Sequence, residues 1–343
     1  MRTKISLLLG FVSLAALAAA AFVPAAHYEI KQKYVLGGDG GWDYLTYDSA
    51  GKRLFISRGT HVMVVDPAKG TVVGDVANTP GVHGIALAQD LGKGFTSNGR
   101  ENTVTVFDLK TLKETARIKI EGENPDAIMY EPTTQRIFTF NGRSKNATVI
   151  DAAKGTVVGN IPLDGKPEFA VADGKGVVFV NIEDKNEMTS IDAKKAAVIK
   201  SWPLTGCDEP SGLAIDVKNR RLFSGCGNKV MTVVNPDTGK VVTTIPIGQG
   251  VDANAFDPDE QFAFSSNGEG TLTIAHEDSS DKYSVVENVP TQRGARTMAL
   301  NTDTHDALLV TAEIEEAPPA KEGERPRRTM KPGTFTLLVV GKK

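Results

Sequence analysis

The chain has 343 residues, a formal net charge of −3 at pH 7 and 40% hydrophobic residues. The slight acidic excess excludes a protein that is basic overall, so nucleic acid and acidic lipid are not expected partners. The length is sufficient for a large core, and a repeat fold can use all of it as one domain.

The first 26 residues have the composition of a secretory signal peptide. Arg2 and Lys4 give a positive start, residues 5–21 are apolar, and small residues follow. An uncleaved membrane anchor is the alternative, because about 17 apolar residues is the lower limit for spanning a bilayer. We expect cleavage between residues 20 and 26, a periplasmic or secreted location, and no membrane span in the mature chain.

From residue 51 onwards, one pattern returns about every 42 residues, a period typical of propeller blades. Each copy has two β-forming runs separated by a turn, as in GKRLFISRGTHVMVVD, QRIFTFNGRSKNATVID and RRLFSGCGNKVMTVVN. The pattern predicts an all-β, seven-bladed propeller with four-stranded blades over residues 27–343. The inner strands are predicted to begin near these residues: Trp42, Val82, Pro125, Pro167, Pro210, Val251 and Ala295.

Blade seven has sequence for only three strands, while residues 29–36 precede blade one and have no blade of their own. This N-terminal segment is predicted to supply the missing outer strand and so to close the ring. Closure in this way removes the open sheet edges that favour aggregation.

Residues 314–333 interrupt the period and are rich in proline and charge, which predicts a long mobile loop on the channel-mouth face. One interpretation is a solvated loop without function. The other is a segment that covers the acidic mouth or binds a partner through its basic residues, which are Arg325, Arg327, Arg328 and Lys331.

The start of each inner strand carries a residue whose type changes from blade to blade. These residues are Asp43, His83, Asp126, Glu168, Ser211, Asp252 and Arg296, with Trp42 beside the first. All inner strands begin on one face, so we expect these side chains to surround the mouth of the central channel. Carboxylates this close raise one another's pKa or recruit a cation, which predicts a ligand-binding site.

A metal site is one alternative for this ring. Asp126, Glu168 and Asp252 are the predicted ligands of a divalent cation such as calcium. The residues at the ends of three second strands, Asn98, Asn141 and Asn181, are candidates to add carbonyl oxygens. The fixed charge of Arg296 argues against a metal, and the recurring Asn also fits a structural device that satisfies backbone groups.

The chain has two cysteines, Cys207 and Cys226. In an exported protein such a pair is expected to form a disulfide. The alternative is two free thiols, one of them a metal ligand beside His83. The sequence contains no CxxC or CxxCH motif, so it gives no support to a cysteine-cluster zinc site or to covalently attached haem.

The blades resemble the YVTN-type repeat of bacterial propellers, most clearly in GKRLFIS with VMVVDPAKGTVVGDV, and in RRLFSGCGNKVMTVVNPDTGKVVTTIPIGQG. Residues 29–341 are therefore similar to the YncE-like family of exported seven-bladed propellers. The resemblance implies the fold, but the matching residues are structural ones. Relatives are implied to bind nucleic acid, to act as lactonases or to carry a redox cofactor, and no catalytic residue is carried over.

From these features we expect a monomeric exported protein that binds a small molecule or a protein partner on the channel-mouth face. A metal-assisted hydrolase of the lactonase type is the alternative function.

Overall fold

The computed structural model describes residues 27–38, 40–317 and 327–343. These residues form seven four-stranded antiparallel sheets arranged as the blades of a propeller. Blade one contains β2 (Leu45–Asp48), β3 (Arg53–Ser57), β4 (Val62–Asp66) and β5 (Thr71–Val76). Blade seven contains β26 (Met298–Asn301), β27 (Asp306–Thr311), β30 (Thr336–Lys342) and β1 (Tyr28–Val35).

The other five blades follow one another along the chain. Blade two contains β6 (Val82–Ala88), β7 (Lys93–Asn98), β8 (Thr103–Asp108) and β9 (Glu114–Lys119). Blade three contains β10 (Pro125–Glu131), β11 (Arg136–Asn141), β12 (Asn146–Asp151) and β13 (Thr156–Pro162). Blade four contains β14 (Pro167–Ala172), β15 (Val177–Ile182), β16 (Glu187–Asp192) and β17 (Ala197–Pro203).

Blade five contains β18 (Pro210–Asp216), β19 (Arg221–Cys226), β20 (Val230–Asn235) and β21 (Lys240–Pro246). Blade six contains β22 (Val251–Asp257), β23 (Phe262–Asn267), β24 (Thr271–Ser279) and β25 (Lys282–Pro290). Short 3-10 turns cover Gln89–Leu91 and Glu183–Lys185. The inner strands of neighbouring blades contact one another all round the ring, including those of blades one and seven.

The core lies between the blades. A residue in the middle of the second strand is fully buried in every blade, and these residues are Phe55, Phe95, Phe138, Val178, Phe223, Phe264 and Leu309. The fourth strands are amphipathic and mostly exposed, as in Thr71–Val76. Burial therefore decreases from the second strand to the rim, which explains why alternation in sequence marks the outer strands.

The ring closes as predicted. The N-terminal strand β1 pairs antiparallel with β30 and forms the outer strand of blade seven, one residue earlier than expected from sequence. Its first residue, Tyr28, is 2% exposed and packs edge-on against Phe262 and Phe264 of blade six. The closing strand is thus held by the neighbouring blade as well as by its own ladder.

Two inner strands begin later than predicted. Those of blades one and seven start at Leu45 and Met298, whereas Trp42 and Ala295 were expected. The backbone just before them is bonded outside the ladder: the amide of Asp43 donates to Ser57 Oγ at 3.2 Å, and the amide of Arg296 donates to the Gly294 carbonyl at 2.9 Å.

The prediction of a long loop over residues 314–333 is wrong at its ends. Strands β28 (Ile314–Ala317) and β29 (Arg327–Met330) pair antiparallel as a hairpin. The Lys331 amide donates to the Glu313 carbonyl at 2.8 Å, and Lys331 Nζ lies 2.8 Å from Glu313 Oε2. The backbone hydrogen bonds of the hairpin and the ion pair at its base stabilise strands here, although the composition is typical of a loop. Arg325 lies outside the described residues.

Blade five contains the predicted disulfide between Cys207 and Cys226, whose Cα atoms are 5.3 Å apart. It joins the segment that precedes the inner strand to the end of the second strand. Within the described part of the chain, no helix is long and apolar enough to cross a bilayer.

Arg58 ends the second strand of blade one, where most other blades carry Asn. Its guanidinium is fully buried and donates to the carbonyls of Gly37, Gly38, Gly40 and Gly41 at 3.1–3.3 Å. It also lies over the ring of Phe335, 3.6 Å from the centroid. Arg58 therefore anchors the segment that links β1 to blade one and does not face the channel mouth.

Candidate functional site

The inner strands bring six of the seven predicted ring residues together around a cavity of about 460 Å³, hereafter the cup, and His83 is not part of its lining. Six carboxylates line it, and these belong to Asp43, Asp126, Glu168, Glu183, Glu209 and Asp252. Arg296 is the basic residue of the lining, and Ser211 contributes an uncharged hydroxyl group. The described lining is therefore strongly acidic.

An aromatic pair crosses the channel at the cup. Tyr44 of blade one stacks on Phe169 of blade four, with ring centroids 4.4 Å apart and an interplanar angle of 27°. Blades one and four stand on opposite sides of a seven-bladed ring, so the pair bridges the central channel. Tyr44 lines the cup, which makes one wall of this acidic cavity aromatic.

The Tyr44 hydroxyl is buried and has no hydrogen-bond partner among the described residues. Burial raises its pKa well above the ordinary value, and the charges of Asp126, Glu168, Asp43 and Asp252 act in the same direction. The hydroxyl is consequently protonated at neutral pH. It is an unused donor in the middle of four carboxylates.

His83 contacts two of the carboxylates that line the cup. Its Nδ1 lies 2.7 Å from Asp43 Oδ2 and 3.7 Å from Asp126 Oδ1. Burial opposes a charge on His83, but the hydrogen bond with Asp43 and the charge of Asp126 raise its pKa above the ordinary value. One ligand atom from each of the three residues lies within 4.8 Å of the others, which is close enough to hold a metal ion.

Arg296 lies on the other side of Asp43 from His83 and contacts two carboxylates of the cup. Its Nη1 lies 2.5 Å from Asp252 Oδ2, and its Nη2 lies 3.4 Å from Asp43 Oδ1. Burial raises the pKa of Asp252, while the charge of Arg296 opposes that change. Ser211 Oγ donates to the backbone carbonyl of Asp252 at 3.3 Å. Arg296 thus links two of the predicted ring residues.

Lys166 forms a third basic contact, with Glu168 at 2.6 Å and with Glu183. Burial raises the pKa of Glu168 to about 7, the charge of Asp126 adds to this, and Lys166 only partly compensates. Sequence inspection missed Lys166 and Glu183. The available signal was position, because Lys166 directly precedes an inner strand and Glu183 directly follows a second strand.

The structure does not bring the predicted calcium ligands together as one set. Glu168 is paired with Lys166 and Asp252 with Arg296, whereas Asp126 lies beside His83. The geometrically close group is instead Asp43, His83 and Asp126. Calcium at the predicted set stays a prediction.

The asparagines expected to add carbonyl oxygens bind protein groups instead. Asn98 Oδ1 accepts from Thr96, Asn141 Oδ1 from Thr139, and Asn181 Oδ1 from Ser224, at 2.9–3.1 Å. Their fully buried amides therefore tie strands together within and between blades. The recurring Asn is the structural device that its repetition suggested.

Trp42 also stays out of the cup. It packs against Phe335 with ring centroids 5.5 Å apart, and its indole nitrogen is buried without a partner among the described residues. The aromatic residue that lines the cup is instead Tyr44, two residues later. Neither Tyr44 nor Phe169 was predicted as a site residue, since an aromatic residue in an inner strand has the appearance of ordinary core.

Comparison with known proteins supports the architecture. No protein-family model matches the chain, and no curated protein matches it. Among solved structures, a Kuenenia stuttgartiensis hydrazine synthase chain is similar at 19% identity, with a TM-score of 0.67 over 82% of this chain and 95% of that one. A structure of U3-55K is similar at 7% identity, with a TM-score of 0.76 over 91% of this chain and 100% of that one.

A mitotic checkpoint complex chain is similar at 14% identity, with a TM-score of 0.73 over 95% of this chain and 99% of that one. Identities this low concern the fold alone, because one propeller architecture hosts many unrelated functions. The chain is a seven-bladed β-propeller, compatible with a binding or scaffold role.

Proposed function

We propose that this protein is an exported binding protein of the YncE-like type, without catalytic activity, that holds a small cationic ligand in the cup. The observation that carries the proposal is the charge of the lining, where six carboxylates face one arginine. A concave site with converging groups of one sign raises the local concentration of the opposite ion.

The pairing inside the cup supports a cation over an anion. Arg296, Lys166 and His83 already contact carboxylates, so the basic groups are engaged while several acidic oxygens remain. Tyr44 also lines the cavity, with one face of its ring stacked on Phe169, and aromatic rings attract cations. A small ammonium ion matches both features.

Export is part of the proposal and rests on two features. The first is the signal-peptide composition of residues 1–26, which lie outside the described part of the structure. The second is the disulfide between Cys207 and Cys226, since disulfides persist in oxidising compartments.

The test is calorimetric titration of the purified mature protein with ethylammonium chloride. Asp126→Asn removes one cup charge, and we expect it to weaken binding about tenfold, the loss typical of one charged hydrogen bond. The matched control is Glu121→Gln, because Glu121 is exposed and outside the cup. Absence of binding to the wild-type protein, or equal weakening by both variants, would overturn the proposal.

A second candidate function is metal-assisted hydrolysis of the lactonase type. It is favoured by the closeness of Asp43, His83 and Asp126. An imidazole with two carboxylates suits zinc or a similar transition metal, whereas calcium prefers oxygen ligands alone.

The test of the second candidate is the metal content after dialysis against zinc, followed by a lactone hydrolysis assay. If this second function holds, the wild-type protein retains stoichiometric zinc and His83→Gln does not. A wild-type protein that retains no metal excludes this function. Calcium titration of the wild type and Glu168→Gln tests the ligand set predicted from sequence.

A further inference from the structure

A second cavity, hereafter the trough, adjoins the cup. It has a volume of about 780 Å³, and Gly250 and Arg296 line both cavities. Its lining is mostly apolar, in contrast to the cup. The two cavities therefore adjoin at Gly250 and Arg296.

Three glycines lie next to one another where the two cavities adjoin. The Gly268 amide donates to the Gly250 carbonyl, and the Gly294 amide donates to the Gly268 carbonyl, both at 2.8 Å. A Cβ atom at Gly268 would lie 3.2 Å from the Gly250 carbonyl oxygen and 3.5 Å from Arg296 Cβ. The absence of side chains at these three positions lets the backbones of blades six and seven approach one another closely beside the two cavities.

Blade seven supplies the apolar wall of the trough. Ala312 occupies the position at which Asn98, Asn141 and Asn181 end their second strands, so a methyl group replaces a carboxamide here. Ile314, the first residue of the hairpin, lines the trough and is 45% exposed. Both features belong to blade seven, in which the hairpin of β28 and β29 interrupts the repeat.

Of the charged residues that line the trough, Arg296 and Glu313 are paired, whereas Arg293 has no ion pair among the described residues. Arg296 contacts Asp252 and Asp43, and Glu313 at the outer end contacts Lys331. An apolar chain lying between them does not separate these pairs. The acidic cup thus suits a positively charged group, and the apolar surface of the trough suits a hydrocarbon chain.

We propose that the cup and the trough form a single site for a primary amine that carries an apolar chain, with the ammonium group in the cup and the chain in the trough. The inference rests on the proposed cation-binding function and adds the class of the ligand. The Tyr44 ring and the neighbouring carboxylates select the head group, and Ile314 with Ala312 selects the tail.

The test compares ethylammonium, n-hexylammonium and n-hexanol by calorimetry on the wild-type protein. Each methylene that enters the trough is expected to tighten binding about fourfold, so four additional methylenes tighten it by about two orders of magnitude. Hexanol, which lacks the charge, is expected to bind at least about tenfold more weakly than hexylammonium.

Ile314→Ser tests the position of the chain. We expect it to weaken hexylammonium binding about tenfold and to leave ethylammonium binding unchanged. The matched control is Ile199→Ser, because Ile199 is 56% exposed and lies on the outer strand β17 of blade four. Both residues are exposed, so neither variant is expected to unfold the protein.

The outcomes separate the two proposals. Equal affinity for the short and long amines overturns the inference and leaves the cation site standing. A chain-length effect that survives in Ile314→Ser places the chain elsewhere and also overturns it, as does hexanol binding as tightly as hexylammonium. If neither amine binds, the cation-binding function fails, and the inference fails with it.

Discussion

Replacement of Glu168 by Gln should change the pH dependence of stability in a defined direction. Burial and the charge of Asp126 raise the pKa of Glu168 to about 7 from its ordinary value of 4.5. Native Glu168 therefore keeps its proton at a pH where the unfolded chain has released it. Its contribution to stability is present below about pH 4.5 and is lost as the pH rises through about 7.

The magnitude follows from the two pKa values. Their difference corresponds to about 3 kcal/mol at a pH above both of them. The side chain is 13% exposed, so solvent screening reduces this figure only modestly. The contact with Lys166 is already included, because it helps to determine the native pKa. Relative to the wild type, Glu168→Gln should gain up to about 3 kcal/mol between about pH 4 and about pH 8.

The assay is urea unfolding of both proteins, without added ligand, followed by tryptophan fluorescence across this pH range. Glu121→Gln provides the control for loss of an exposed carboxylate. Parallel stability curves for the wild type and Glu168→Gln would refute the reasoning, since they would mean that Glu168 ionises normally in the folded protein.

Three further predictions concern other parts of the molecule. Arg58→Met should lower the free energy of unfolding by at least about 2 kcal/mol in urea titration, because it removes a fully buried guanidinium that binds four glycine carbonyls and lies over Phe335; an unchanged midpoint would contradict this role. The double replacement Cys207→Ser and Cys226→Ser should lower it by about 3 kcal/mol, and reduction of the wild type should produce a similar loss; insensitivity to reductant would argue against the bridge. Tyr44→Phe should leave stability within about 1 kcal/mol, because the hydroxyl has no partner among the described residues. The same variant should weaken ammonium binding in calorimetry, and unchanged affinity would show that the hydroxyl takes no part.

Much of the cup was predictable because a repeat assigns equivalent positions to every blade. Asp43, Asp126, Glu168, Ser211 and Asp252 occupy the same place in five of the seven blades and do line one cavity. The contribution of the N-terminal strand to blade seven was predictable for a related reason. Blade seven has sequence for only three strands, and the N-terminal segment is the one predicted strand that belongs to no other blade.

The contacts inside the cup were not predictable in this way. Which carboxylate pairs with His83, Arg296 or Lys166 depends on distances of a few ångströms between side chains from different blades. The stacking of Tyr44 on Phe169 depends on blades one and four standing opposite each other. A local pattern indicates which way a side chain points but not which distant side chain it meets.

The sequence by itself determined the blade count, the closing strand, the cysteine pair and the ring of residues at the channel mouth, because period and alternation encode strand order and direction. Only the tertiary structure decided that the predicted calcium ligands separate into ion pairs, that Trp42 packs away from the cup, and that residues 314–317 and 327–330 form a hairpin. The physical reason is that electrostatic pairing and packing depend on separation in space, which the closed ring establishes between residues far apart in the chain.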